Sequence, residues 1–318
     1  MSIALAVGSM AACHGARREP LITYFDSEHG LSVRYPPSWT SEQAEQDGVR
    51  YRYFLGPRTG PERKPALSMT LLGGPLVGSL EAYAQTYLAG NTVSSSKEEE
   101  RPGVKGRSYA YASADGSRRH LLLLLPEGSR VYVLHLEGEA REFAPATATL
   151  DEMARSLTLE RPAHYPEVSD NRFGFTLRMP PSWPETRRFA GPKTLLLQYT
   201  SPPLASDRGG QTVHASLTLT VEAVAGDGGI DAFYSETRRK LGDSFVILDH
   251  KPWKDGFLDV MRAETPVSTS RVKRFYRAAD GRGYSLAFEA REDVSARVSR
   301  WCDLIADTLR VGTDLAVH

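Results

Sequence analysis

The residues able to do chemistry in this chain are few, and their spacing suits no familiar reaction. Eight histidines and two cysteines are spread over 318 residues. No two histidines stand at the i, i+4 interval that presents a zinc pair on one helix face, and neither CxxC nor HExxH occurs. A metal site therefore has no support in the spacing, and no cofactor is implied. The glycine-rich stretch Gly73-Gly74-Pro75-Leu76-Val77-Gly78-Ser79 lacks the lysine that would reach a phosphate, and there is no G-x-S-x-G nucleophile elbow. Cys302, between Trp301 and Asp303 on an amphipathic stretch, reads as a small buried hydrophobe. The acidic run Glu98-Glu99-Glu100, flanked by Lys97 and Arg101 in a Ser-rich segment, reads as a solvated loop. No residue is assigned a catalytic role, and the chain is expected not to be an enzyme.

Charge excludes a further class. Thirty-nine basic residues balance 39 acidic ones, so no electrostatic field favours nucleic acid or a general anionic surface. The short clusters Arg118-Arg119 and Arg238-Arg239-Lys240 read as solvated faces. The first cysteine has a different setting. Residues 1–13 form a short apolar run that ends Met10-Ala11-Ala12-Cys13. This resembles the lipobox at the end of a bacterial lipoprotein signal, which implies cleavage before Cys13 and acylation of its thiol. The run is too short for a stable spanning helix. The resemblance implies a protein anchored by lipid alone, outside the cytoplasmic membrane in the cell envelope.

Positioning elements come from a repeat. Residues 26–39 read DSEHGLSVRYPPSW and residues 170–183 read DNRFGFTLRMPPSW, identical at seven of fourteen positions at an offset of 144. A fixed offset of domain size indicates two copies of one unit, each of ~130–150 residues and able to bury its own core. In each copy an alternating strand (Leu31, Val33, Tyr35; Phe175, Leu177, Met179) runs into a Pro-Pro turn. There the missing amide donors end the ladder. Gly30 and Gly174 open the strand, and Trp39 and Trp183 fold back as apolar plugs.

The copies stay parallel further on. Leu67–Leu71 pairs with Leu217–Val221 at offset 150, the extra residues falling in the polar stretch 201–211. A helix follows Ser79 in the first copy and ends at Gly242 in the second. Next comes a hairpin in which Tyr132, Leu134 and Glu137 match Tyr284, Leu286 and Glu289. Each copy closes on a helix, with stripes Leu150, Met153, Ala154, Leu157 and Val294, Val298, Trp301, Ile305. Three strands, a helix, about three more strands and a final helix make each unit α+β. The boundaries read 1–20 for leader and tether, 21–159 for the first repeat, 160–169 for a short stiff linker and 170–318 for the second repeat.

The opening signature G-[LF]-[ST]-[VL]-R-x-P-P-S-W, with the closing runs Ser156-Leu157-Thr158-Leu159 and Thr308-Leu309-Arg310-Val311, resembles the PsbP/Mog-like superfamily. That superfamily includes the extrinsic PsbP protein, a Ran-binding import factor, LpqN-type lipoproteins and DcrB-like proteins. The resemblance implies two tandem α/β/α sandwich domains, each a mostly antiparallel sheet with flanking helices, and a scaffold that binds. The repeat adds an internal control. His29 stands where the second copy has Phe173, and His135 where it has Ala287. Architecture recurs and reactive residues do not. Arg34 and Arg178 do recur; they either cover the sheet edge with their methylenes or contact a ligand twice. The expected function is a non-catalytic, membrane-anchored binding or assembly protein. Its partner is an envelope protein or an apolar ligand, held between sheet and helix or between domains. An effector chaperone cradling an apolar helix and a hydrolase with an unrecognised site are the alternatives.

Overall fold

The computed structural model describes residues 19–26, 29–46, 48–59, 64–206, 211–224, 229–264 and 268–312. Cys13 and the leader lie outside the described residues. The first repeat runs β1 (Ile22–Asp26), β2 (Leu31–Tyr35), β3 (Thr40–Gln46), β4 (Val49–Leu55), β5 (Arg58–Thr59), β6 (Lys64–Pro65), β7 (Leu67–Pro75), α1 (Leu80–Leu88), β8 (Thr92–Arg101), β9 (Val104–Ala112), β10 (Arg118–Glu127), β11 (Arg130–Glu139), α2 (Ala140–Ser156) and β12 (Thr158–Leu159). The second runs β13 (Glu167–Asp170), β14 (Phe175–Arg178), β15 (Glu185–Ala190), β16 (Thr194–Thr200), β17 (Ala205–Ser206), β18 (Thr212–Val213), β19 (Ala215–Ala223), α3 (Gly229–Leu241), β20 (Phe245–Trp253), β21 (Gly256–Glu264), β22 (Thr269–Ala279), β23 (Arg282–Arg291), α4 (Glu292–Ala306) and β24 (Arg310–Val311). Each repeat builds one seven-stranded sheet, β3-β4-β7-β11-β10-β9-β8 and β15-β16-β19-β23-β22-β21-β20, the same order strand for strand. Each adds a small sheet, β1-β2-β12 and β13-β14-β24. Every pairing among the described residues is antiparallel.

Packing follows from the apolar pattern. The leucine run 121–125 lies in β10, buried on both faces. Leu123 and Leu125 meet α2 through Leu150, Met153 and Leu157. Leu122 and Leu124 meet α1 through Ala84 and Leu88. A strand covered on both sides has no polar face to alternate with, which is why the run is continuous. The Pro-Pro turns close as read: the Trp39 amide donates to the Pro36 carbonyl at 3.0 Å and the Trp183 amide to the Pro180 carbonyl at 2.9 Å. Both tryptophans are buried.

Details of backbone geometry repeat as well. The edge strands β8 and β20 carry a bulge at matching places, between Val93 and Ser95 and between Ile247 and Asp249. The Arg34 amide donates to the Ser156 hydroxyl at 2.8 Å, and the Arg178 amide to the Thr308 hydroxyl at 2.9 Å. Gly30 and Gly174 sit at φ +60° and +64°, and their carbonyls accept from the Glu160 and Gly312 amides. A side chain in that left-handed region costs ~1–2 kcal/mol. Gly174→Ala, whose added carbon would lie an ordinary 3.4 Å from the Tyr284 hydroxyl, should therefore lose ~1–2 kcal/mol in urea unfolding. No change in the midpoint would contradict the assignment.

The structure departs from the sequence reading in several places. Among the described residues seven strands, not three, precede the first helix of each repeat, and a two-residue strand follows each closing helix. Four strands, not three, follow the first helix of each repeat, because β8 and β20 are edge strands with little apolar alternation. Glu98, Glu99 and Glu100 lie in edge strand β8 rather than in a loop; like charges on an edge discourage pairing with another chain. β7 and β19 correspond at a different offset. The ladders pair Leu71 with Leu134 and Leu219 with Leu286, so Leu71 matches Leu219 rather than Val221. A slip of two preserves alternation and is invisible to it. Finally, β13 begins at Glu167, inside the stretch 160–169 read as linker.

Candidate functional site

The two repeats meet through a shared seam. Phe25, on β1 of the first repeat, belongs to the buried core of the second. Its ring stacks on Trp301 of α4 at 5.0 Å between centroids and 12° between planes. Trp301 is fully buried and meets Trp183 edge-on at 5.4 Å. The Thr23 amide donates to the Pro203 carbonyl at 2.6 Å. A polar relay crosses the same seam. The Ser32 hydroxyl donates to Glu160, the Tyr165 hydroxyl donates to the other Glu160 oxygen at 2.7 Å, and Trp301 Nε1 donates to the Tyr165 oxygen at 3.3 Å. Burial pushes the Glu160 carboxyl above its ordinary range, against the pull of these donors. The connection between repeats is thus part of the core.

Beside the seam lies a cleft of about 430 Å³ built from both repeats. Thr23, Asp26, His29, Arg50 and Arg52 line it from the first repeat, and Ala296 and Arg297 from the second. Arg52 donates to the Tyr24 hydroxyl at 3.0 Å and to Gln43 at 2.8 Å; Arg50 pairs with Glu45 at 3.3 Å. Asp26 holds His29 at 3.0 Å. Among the described lining residues the formal charges are three arginines and one aspartate. The Thr23 hydroxyl is buried without a hydrogen-bond partner, a group a ligand would satisfy. The cleft can hold an acidic group.

Arg34 and Arg178 occupy matching positions and meet different partners. Arg34 pairs with Glu152 of α2 at 3.2 Å. Arg178 donates to the Ala163 carbonyl at 2.6 Å and lies 3.8 Å from Glu167. The structure does not bring them together, and neither lines the cleft. Cys302 is buried, and burial raises its thiol far above the ordinary range. A second, apolar groove of about 410 Å³ runs under α4, lined by Val260, Phe288, Ala290, Val298 and Cys302 among others.

One cluster has no counterpart in the sequence reading. β9, β10 and β11 place Tyr111, His120, His135 and Glu137 on one sheet face; His120 lies opposite both Tyr111 and Glu137, and His135 opposite Leu122. His120 Nδ1 is 3.2 Å from His135 Nε2 and 3.7 Å from Glu137 Oε2. Tyr111 Oη is 2.9 Å from His135 Nε2. The other Glu137 oxygen accepts from Ser68 at 3.2 Å and lies 3.2 Å from Arg118. Burial lowers both imidazoles below their ordinary range, His135 to about 4, so both are neutral at pH 7. The two histidines are 15 residues apart, a separation only a hairpin brings together.

No family profile matches the sequence, and no curated protein does. Solved structures similar to it include cyanobacterial PsbP (CyanoP) of Synechocystis, at 14% identity over 48% of this chain and 99% of that one, with a TM-score of 0.36. The Ran-binding protein Mog1p of Saccharomyces cerevisiae is similar at 12% identity over 46% and 95%, with a TM-score of 0.35. The type VI secretion immunity protein TplEi of Pseudomonas aeruginosa is similar at 12% over 92% and 97%, with a TM-score of 0.23. These values describe a resemblance in outline and convey nothing about function. No helix among the described residues is long and apolar enough to cross a membrane.

Proposed function

We propose that the chain is a non-catalytic binding or assembly lipoprotein of the cell envelope, a tandem PsbP/Mog-like protein anchored through Cys13 and holding an acidic segment of a partner protein between its repeats. The observation that carries this reading is the cleft that neither repeat could form alone, with guanidinium groups from both and the unpartnered Thr23 hydroxyl. A carboxylate there gains charge-assisted hydrogen bonds. The free edge β20 favours a protein partner over a small molecule. It exposes Val246, Ile247 and Leu248 where the matching edge β8 carries Thr92, Val93 and Ser94, with Val93 alone apolar, and an exposed apolar edge invites strand addition.

Two experiments test the reading. Radiolabelled palmitate should enter the protein and be lost in Cys13→Ser; unmodified protein in the cytoplasm would contradict the anchor. In-cell crosslinking from the cleft should capture a partner whose yield falls at least ~10-fold in Arg52→Glu/Arg297→Glu, since truncating charged contacts at an interface costs ~2 kcal/mol or more. Undiminished capture by that variant would move the binding surface elsewhere.

A further inference from the structure

We propose that His120, His135 and Glu137 of the first repeat form a binding site for a divalent zinc-class ion. Three donors of the right kind converge, with their ligating atoms within 4.8 Å of one another. The spacing suits a metal. Two nitrogens bound to tetrahedral zinc at ~2.0–2.1 Å lie ~3.3 Å apart, and His120 Nδ1 and His135 Nε2 stand at 3.2 Å. Two imidazoles and one carboxylate with an open fourth position form a familiar zinc donor set. Water or the Tyr111 hydroxyl, already 2.9 Å from His135 Nε2, would fill the fourth place.

The surroundings orient the ligands. Ser68 and Arg118 both hold Glu137 Oε1, which leaves Oε2 toward His120. Hydrogen-bonded outer partners of this type fix a carboxylate for a metal. Tyr87 of α1 packs edge-on against His135 at 5.6 Å and limits its rotation. Binding requires the facing nitrogens, His120 Nδ1 and His135 Nε2, to present their lone pairs, with each ring's proton on its outer nitrogen.

The second repeat argues that the fold does not need these histidines. By ladder register, Met261, Val272 and Ala287 stand where the first repeat has Tyr111, His120 and His135. There they form a buried apolar cluster under α3 with Ala263, Leu241 and Phe245. The carboxylate persists as Glu289. A polar pair set into a face that its sister fills with hydrocarbon calls for a reason beyond stability.

The test uses the untagged full chain in detergent and zinc alone. Calorimetric titration should show one tight equivalent, and cobalt(II) should give the visible absorption of a tetrahedral site. His120→Val/His135→Ala installs the sister repeat's own residues, so the fold is expected to tolerate it. It should weaken zinc binding at least ~100-fold, because losing even an outer-shell partner costs ~10–100-fold. Ser68→Ala should weaken it ~10-fold. If the double variant fails to fold by circular dichroism, Glu137→Gln carries the comparison. Absence of tight zinc binding by the parent overturns the proposal. So does equal binding by a folded ligand variant, which would place the ion on other residues.

Discussion

Phe25→Ala is expected to destabilise the second repeat by ~3–5 kcal/mol, although Phe25 belongs to the first. The ring is buried in the core built by α4 and the second sheet and stacks on Trp301. Removing it opens a cavity against Trp301, which a close-packed interior fills only in part. The loss should also divide a single unfolding transition into two, the second repeat melting first. Trp301→Ala should cost a similar ~3–5 kcal/mol from the other side of the contact. A Phe25→Ala protein that unfolds at the parental midpoint would show that the seam carries no stability.

Glu160 gives the second large effect. Its carboxyl is 2% exposed and accepts from Ser32 and Tyr165. Glu160→Ala leaves both hydroxyls buried without an acceptor, at ~1–3 kcal/mol each. Glu160→Gln keeps an acceptor and removes the charge, so it should be near neutral or stabilising at pH 7. The pH dependence has a definite sign. Burial raises the folded pKa above the unfolded one, so the folded state binds the proton more tightly. The contribution is full below the unfolded carboxyl pKa and is lost as pH rises through the raised folded value. Urea midpoints at descending pH should therefore show the parent gaining on Glu160→Gln between neutrality and the ordinary carboxyl range. A parent that loses ground there would reverse the assignment.

Much of the scaffold was legible because duplication repeats its own constraints. Gly30 and Gly174, the Pro-Pro turns, Trp39 and Trp183, and the stripes of α2 and α4 are all set by local backbone demands or a single buried face. β3 was not legible: Thr40–Gln46 is exposed throughout and has no apolar alternation. β12 and β24 are two residues each and exist only by pairing with β2 and β14. Glu160 and Tyr165 looked like linker because they are buried against residues far off in the sequence, Ser32 in the first repeat and Trp301 in the second. Phe25 looked like an ordinary inward strand residue, yet the core it enters is some 275 residues downstream at Trp301. The histidine pair was hidden for a related reason. Helical spacing rules do not see a diagonal across β10 and β11; comparing the repeats set His135 against Ala287, and the match of His120 with Val272 needs the ladder register.

The central claim is that two copies of one unit are fused through a shared core into a single cooperative body. Differential scanning calorimetry of the full chain tests it most directly. The claim predicts one transition with a calorimetric to van't Hoff enthalpy ratio of about one. Two resolved transitions, or a ratio of about two, would mean that the repeats unfold independently and would contradict it.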